Sequence, residues 1–175
     1  MSFRYLTGEV VAIADPEAAG RMPKYHLLNC IGCGPENPDR LGVEPRLEGD
    51  RVVAELSFPR RFEGGPGVVH GGATAAFFDD LIGFVAMAHM QPAVTARLEI
   101  NYLRPIPVGM TIKGEAWLAR VEGRKLFPEA VGLGPDQEVL VEARGMFLRV
   151  GIEHFTRTLE KARRLPMFES DEYYP

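Results

Sequence analysis

His70, Gly71 and Gly72 open an apolar run with two carboxylates, Asp79 and Asp80, in its middle; from Gly67 to His89 it reads GVVHGGATAAFFDDLIGFVAMAH. A helix apolar on all sides is normally buried, and a carboxylate there costs several kcal/mol unless it is paired, hydrogen-bonded or protonated. At least one of these acids is therefore a candidate general base or nucleophile. Glycines at a helix start let a ligand approach the unpaired N–H groups, where the positive dipole end favours a developing oxyanion. Asp79 lies seven residues past Gly72, nearly two turns and roughly the same face, so the two are separated by about 10 Å. A site shared between two subunits suits that span better than one within a single chain.

Other chemistries fit less well. Cys30 and Cys33 form a C-x-x-C pair inside NCIGCGPENPDRLG, the only cysteines in the chain. Tetrahedral zinc needs two further ligands, and although His26 offers one, there is no second cysteine pair. No thioredoxin-like βαβ context supports a redox pair. The loop is therefore expected to serve without metal. There is no G-x-S-x-G elbow for Ser2, Ser57 or Ser170 and no G-x-x-x-x-G-K phosphate loop.

The elements that must position these residues follow from pattern. GEVVAI is one possible strand, followed by a turn-rich connection through Asp15, Pro16, Gly20 and Pro23. Residues 29–42, dense in Gly, Pro, Asn and Asp, read as an ordered loop over the body. VEPRL and RVVAELSF, joined at Glu48, Gly49 and Asp50, read as a hairpin. The apolar helix starts at Gly71 or Gly72 and ends near His89, before Pro92. Three strand candidates succeed it: 94–104, 110–121, and 125–150 broken in two by GLGPDQE. In the first, Ala96, Leu98, Ile100 and Tyr102 alternate with Arg97, Glu99 and Asn101. Residues 152–164 have apolar side chains at helical spacing and read as a surface helix, and FESDEYYP as a terminal segment. One antiparallel sheet around one long central apolar helix is an α+β architecture.

With HGG at residues 70–72, an acid nine residues after the histidine, Thr95 at a strand start, and NYLRPIPVG at residues 101–109, residues 28–150 resemble the hotdog-fold acyl-CoA thioesterases of the phenylacetate-pathway and 4-hydroxybenzoyl-CoA thioesterase type. The resemblance implies hydrolysis of an acyl-CoA thioester to a carboxylic acid and coenzyme A. It also implies a homodimer or dimer of dimers with shared active sites, and no metal or cofactor beyond the coenzyme A of the substrate. By resemblance, Asp79 is the general base or nucleophile, and an N–H of Gly71 or Gly72 polarises the thioester carbonyl. His70 orients that loop, and Thr95 of the partner subunit positions the water or the carboxylate. Where close members place an asparagine or glutamine before the histidine, this chain reads RFEGGPGVV, with Glu63 the nearest polar side chain. Asp80 is expected to face a polar seam or the partner subunit. Arg60, Arg61, Arg104, Arg124 and Lys125 are candidates for the coenzyme A phosphates. Phe77, Phe78, Phe84 and Met87 either line an acyl pocket or belong to the core. The alternatives are a non-catalytic acyl-CoA sensor or carrier and a hotdog dehydratase or hydratase.

Length and composition agree with this reading. The chain has 175 residues, 46% of them hydrophobic, 25% charged, and a net charge of −4, which fits one domain spanning residues 1–175 with a sizeable core. The acidic balance argues against a nucleic-acid binder. No signal-peptide pattern opens the chain and no uninterrupted apolar run is long enough to span a bilayer, so a cytoplasmic protein without membrane contact is expected.

Overall fold

A computed structural model describes residues 11–13, 23–89 and 91–164. Of the expected strand GEVVAI only Val11–Ile13 lie within this range, with Val11 N–H donating to the Leu118 carbonyl; FESDEYYP lies outside the described residues. The elements are β1 (Arg46–Glu48), β2 (Arg51–Ser57), β3 (Glu63–Gly65), β4 (Val68–Val69), α1 (Gly71–Ala88), β5 (Ala93–Tyr102), β6 (Thr111–Glu122), β7 (Lys125–Leu133), β8 (Val139–Arg149) and α2 (Ile152–Ala162). A single 3-10 turn, Arg60–Phe62, leads into β3. Six strands form one sheet in the order β1-β2-β6-β7-β8-β5, and β3 pairs with β4 separately. Every pairing in the large sheet is antiparallel. The expected hairpin forms at Glu48–Asp50, where Gly49 takes a positive φ of 59°, a conformation glycine adopts without steric cost. This is the hotdog arrangement, an antiparallel sheet wrapped around α1.

The sheet receives the helix through glycines. A methyl group at Gly114 of β6 would sit 2.6 Å from Leu81, at Gly132 of β7 2.7 Å from Phe78, and at Gly145 of β8 2.8 Å from Ile82. Three adjacent strands thus each leave out a side chain where a large residue of α1 enters. Phe77, Phe78, Leu81, Ile82 and Phe84 are fully buried there. Helix Gly71–Ala88 is long and apolar enough to cross a membrane, but its burial in the sheet makes it a core helix. It is not covered on all sides, as its apolar sequence suggested. Gly72 is exposed, and Ala76, Asp79, Gly83 and Met87, three or four residues apart, are only half buried.

Ladder regularity fails at one place that bears on function. Between β5 and β8, Thr95 faces Phe147 and Arg97 faces Met146, so Ala96 is an extra residue in a β-bulge. Strict alternation would place Thr95 opposite the side carrying Leu98 and Ile100, which pack on the core. The bulge resets the alternation and turns Thr95 to the helix side. Arg51 lies over the ring of Trp117, 4.4 Å from its centroid, on the sheet's outer surface. Helix α2 has no buried residue, as its expected surface position requires.

Candidate active site

The entrance to α1 is built from His70 outward. His70 is the N-cap, with φ −62° and ψ 131°, and its Nδ1 accepts the Gly72 N–H at 2.8 Å. Its carbonyl accepts the Ala73 and Thr74 N–H groups. The imidazole is exposed, so it is a capping side chain and not a core histidine. Because Nδ1 accepts, the proton of the neutral ring is on Nε2. Gly64 makes this placement possible, since a methyl group there would lie 2.7 Å from His70 Cα. These bonds separate two glycines that the sequence left equivalent. The Gly72 N–H is engaged by the cap, whereas the Gly71 N–H has no partner among the described residues. Of the two, Gly71 is therefore the one whose N–H remains available to a ligand at the helix N-terminus.

Tyr102 completes this end, its hydroxyl donating to the Gly71 carbonyl at 2.8 Å. Gly71, Thr74, Tyr102, Arg104, Val68 and Ile106 line an open pocket of ≈ 230 Å³ at the helix N-terminus. Its lining is mostly apolar with one cation, Arg104, so it can take an uncharged carbonyl group with an anionic extension. Of the other candidate cations, Arg60 is almost fully exposed and lies 3.5 Å from Glu63. Arg61 donates to the Arg40 carbonyl at 2.9 Å and lies over Phe62. Glu63 itself accepts the Gly67 N–H at 2.6 Å and so ties down the loop before the helix. Arg124 and Lys125 are at the β6–β7 turn, beside the start of β5 and across from its Tyr102 end. Ten residues of strand separate the two ends by about 30 Å, so one chain does not bring all five cations together.

Asp79 is half-buried on the partly open stripe of α1, and Thr95 Oγ1 donates to its Oδ1 at 3.0 Å. The pairing is within one chain, which corrects the expectation that Thr95 comes from the partner subunit. Burial raises the Asp79 carboxyl above its ordinary value, the Thr95 hydrogen bond opposes this, and neighbouring Asp80 adds to the rise. A carboxylate so held is a stronger base than a solvated one. Eight residues along the helix, Gly71 and Asp79 of the same chain are about 12 Å apart. Phe77, Phe78 and Phe84 are all core; of the four residues considered for an acyl pocket, only Met87 reaches the open stripe.

Asp80 is neither on a polar seam nor free. It is 8% exposed, its Oδ1 lies 2.9 Å from His26 Nδ1 and 3.5 Å from Cys30 Sγ, and the buried Cys33 Sγ is 3.9 Å away. Cys33 also accepts the His26 N–H at 3.2 Å. Burial pushes the Cys33 thiol up, so without a counter-charge it stays protonated and is no nucleophile. Sequence reasoning brought His26 to the cysteines but missed the fourth member, because Asp80 is supplied by a helix 47 residues away from Cys33.

Residues 66–131 match the thioesterase superfamily. The acyl-coenzyme A thioesterase THEM4 of Mus musculus is 37% identical over 104 residues, 59% of this chain and 45% of that protein. The Bos taurus THEM4 is 35% identical over 123 residues, 64% of this chain and 51% of that one. The chain spans about half the length of the curated relatives it matches. Among solved structures, the thioesterase superfamily protein RHA08564 superimposes with a TM-score of 0.64 and 29% identity, over 67% of this chain and 61% of that one. The E. coli PaaI protein of the phenylacetic acid degradation operon, 20% identical with a TM-score of 0.60 over 63% of this chain and 81% of that one, shares the fold.

Proposed function

We propose that this chain, a thioesterase-superfamily protein of the hotdog fold, hydrolyses acyl-CoA thioesters to a carboxylic acid and coenzyme A. The observation that carries the reading is the pair of half-sites on α1: an unengaged Gly71 N–H at the positive end of the helix, and Asp79 braced by Thr95 on its partly open stripe. Its relatives named as acyl-coenzyme A thioesterases supply the substrate class.

In the proposed step a water attacks the thioester carbonyl carbon while Asp79 takes its proton. The Gly71 N–H receives the oxyanion of the tetrahedral intermediate. Collapse breaks the C–S bond, and the coenzyme A thiolate takes the proton held on Asp79 to leave as the thiol, which restores the carboxylate. Arg104, one of the residues lining the pocket, supports this reading as a cation that can pair with a phosphate of the substrate.

The distance between the half-sites calls for two copies, Gly71 from one and Asp79 from the other. Supporting this, β5, ten residues long, is an edge strand of the sheet formed by the described residues, and long open edges are normally covered. The open stripe of α1 carries Ala76 and Met87 on either side of Asp79, a small apolar surface that a second copy can cover.

Purified chain incubated with short, long and aromatic acyl-CoAs is expected to release free thiol, and Asp79→Asn to abolish the release at unchanged stability. Equal turnover by D79N removes Asp79 from the mechanism. Ligand-dependent thermal stabilisation without thiol release across the panel makes the protein an acyl-CoA binder instead.

A further inference from the structure

We infer that His26, Cys30, Cys33 and Asp80 form a structural zinc site that fastens the irregular loop of residues 26–43 to the central helix. This runs against the metal-free reading of the C-x-x-C pair, and it does not depend on the proposed hydrolysis.

The four ligand atoms, His26 Nδ1, the two Sγ atoms and an Asp80 oxygen, all lie within 4.8 Å of one another. Zinc bonds of about 2.3 Å to sulfur and 2.0–2.1 Å to nitrogen or oxygen, arranged tetrahedrally, give ligand–ligand edges of about 3.4–3.8 Å. Cys33 Sγ to His26 Nδ1 is 3.5 Å, Cys30 Sγ to Asp80 Oδ1 3.5 Å, and Cys33 Sγ to Asp80 Oδ1 3.9 Å. The His26–Asp80 edge, at 2.9 Å, is shorter than these three, at hydrogen-bond length. The protein thus already holds the ligands at close to metal-binding separation.

The surroundings are shaped for this cluster. A methyl group at Gly32 would lie 2.4 Å from Asp80 Cγ, so only glycine lets the C-x-x-C loop settle on the carboxylate. At Gly34 it would lie 2.3 Å from the Cys30 nitrogen, and Gly34 N–H closes the loop onto the Cys30 carbonyl. The His26 ring stacks on Phe84 at 4.0 Å and 17°, over the gap left by Gly83. Asp80, Gly83 and Phe84, one helical turn, therefore present a ligand, a space and a plate that fixes the imidazole. The His26 N–H to Cys33 Sγ bond provides the outer support metal-bound sulfur commonly has.

One atom is left over. Asp80 Oδ2 is buried with no hydrogen-bond partner among the described residues, and a buried oxygen so placed bears its full desolvation penalty. A cation at the cluster compensates both oxygens. Two soft thiols with an imidazole and one carboxylate favour zinc over magnesium, calcium or manganese. Four protein ligands leave no open position, which marks a structural and not a catalytic metal. On binding, the metal displaces the two thiol protons to solvent, His26 binds as a neutral imidazole through Nδ1 with its proton on Nε2, and no electron is transferred.

The test uses the full chain, reduced and without a polyhistidine tag. Elemental analysis is expected to find one zinc per chain. The zinc-free protein should take up one Co²⁺ with the thiolate-to-cobalt charge-transfer and intense visible bands of a tetrahedral site, which Zn²⁺ then abolishes. Cys30→Ser and Asp80→Asn should each weaken Co²⁺ uptake at least tenfold at unchanged circular dichroism. Removing the metal should lower Tm and open residues 26–43 to proteolysis. Reduced wild-type protein that takes up neither ion, or a cobalt spectrum indifferent to C30S, overturns the site. Because none of these readouts involves acyl-CoA, loss of the zinc site and loss of the hydrolase reading are separate results.

Discussion

The chemistry of a single N–H separates Gly71 from Gly72. The His70 imidazole occupies the Gly72 donor and leaves Gly71 at the first helical position. Proline is tolerated at that position because its missing N–H would have no intrahelical partner. It also requires the preceding residue to be extended, which His70 already is at ψ 131°. Gly71→Pro is therefore expected to keep the fold and Tm while losing about 10²–10³ in kcat, the usual cost of one oxyanion donor; steady-state kinetics beside a thermal melt reads both. A melt lowered in step with activity would mean that the substitution acts on the helix. None of this was legible in HGG as a string. The motif placed the donors at a helix start, but which glycine is free depends on the rotamer and tautomer of a side chain. Asp79 and Asp80 were likewise adjacent letters, and only the turn of the helix sends one to an open stripe and the other to the C-x-x-C loop.

At the scale of elements, the strands and the long helix were readable because alternation, turn residues and apolar run length are local. The GLGPDQE break became the β7–β8 connection between Leu133 and Val139. The groove was not readable, because Gly114, Gly132 and Gly145 acquire a common purpose only when three strands lie side by side. Gly132→Ala puts a methyl 2.7 Å from the fully buried Phe78, and overpacking of this kind costs about 1–3 kcal/mol. Urea unfolding is expected to show that loss with an unchanged m-value. The far end of α1 carries a second dependence. Burial holds His89 below the ordinary histidine value, and its Nε2 lacks a hydrogen-bond partner among the described residues. The unfolded chain thus binds a proton more readily than the native one, so stability is lost as pH falls through and below about 6.5. Unfolding free energies at neutral and mildly acidic pH should differ less in His89→Gln than in the wild type. An equal difference would assign the slope to other groups.

For the whole molecule, the decisive quantity is the separation of Gly71 and Asp79 along one helix, about 12 Å. If each site draws Gly71 from one copy and Asp79 from the other, two inactive variants can complement. Refolding D79N with G71P at equal ratio makes half the dimers mixed, each with one intact site of two, so about a quarter of wild-type activity should return. No recovery would place the site within a single chain. The sequence hinted at this arrangement through spacing alone, and under the proposed two-copy site the edge strand β5 of the described sheet is where a second copy would bind.

The bulge at Ala96 has a consequence for how this protein can vary. Because the surplus residue sets the parity of everything before it in β5, the aim of Thr95 is encoded by a count of residues and not by any side chain. Point substitutions along the strand can weaken the Asp79–Thr95 contact gradually, but gain or loss of one residue would exchange Val94 and Thr95 between the two faces of the sheet at a stroke. In a strand of ten residues, the length of the segment between Thr95 and Leu98 is thus as much a part of the site as the carboxylate it serves.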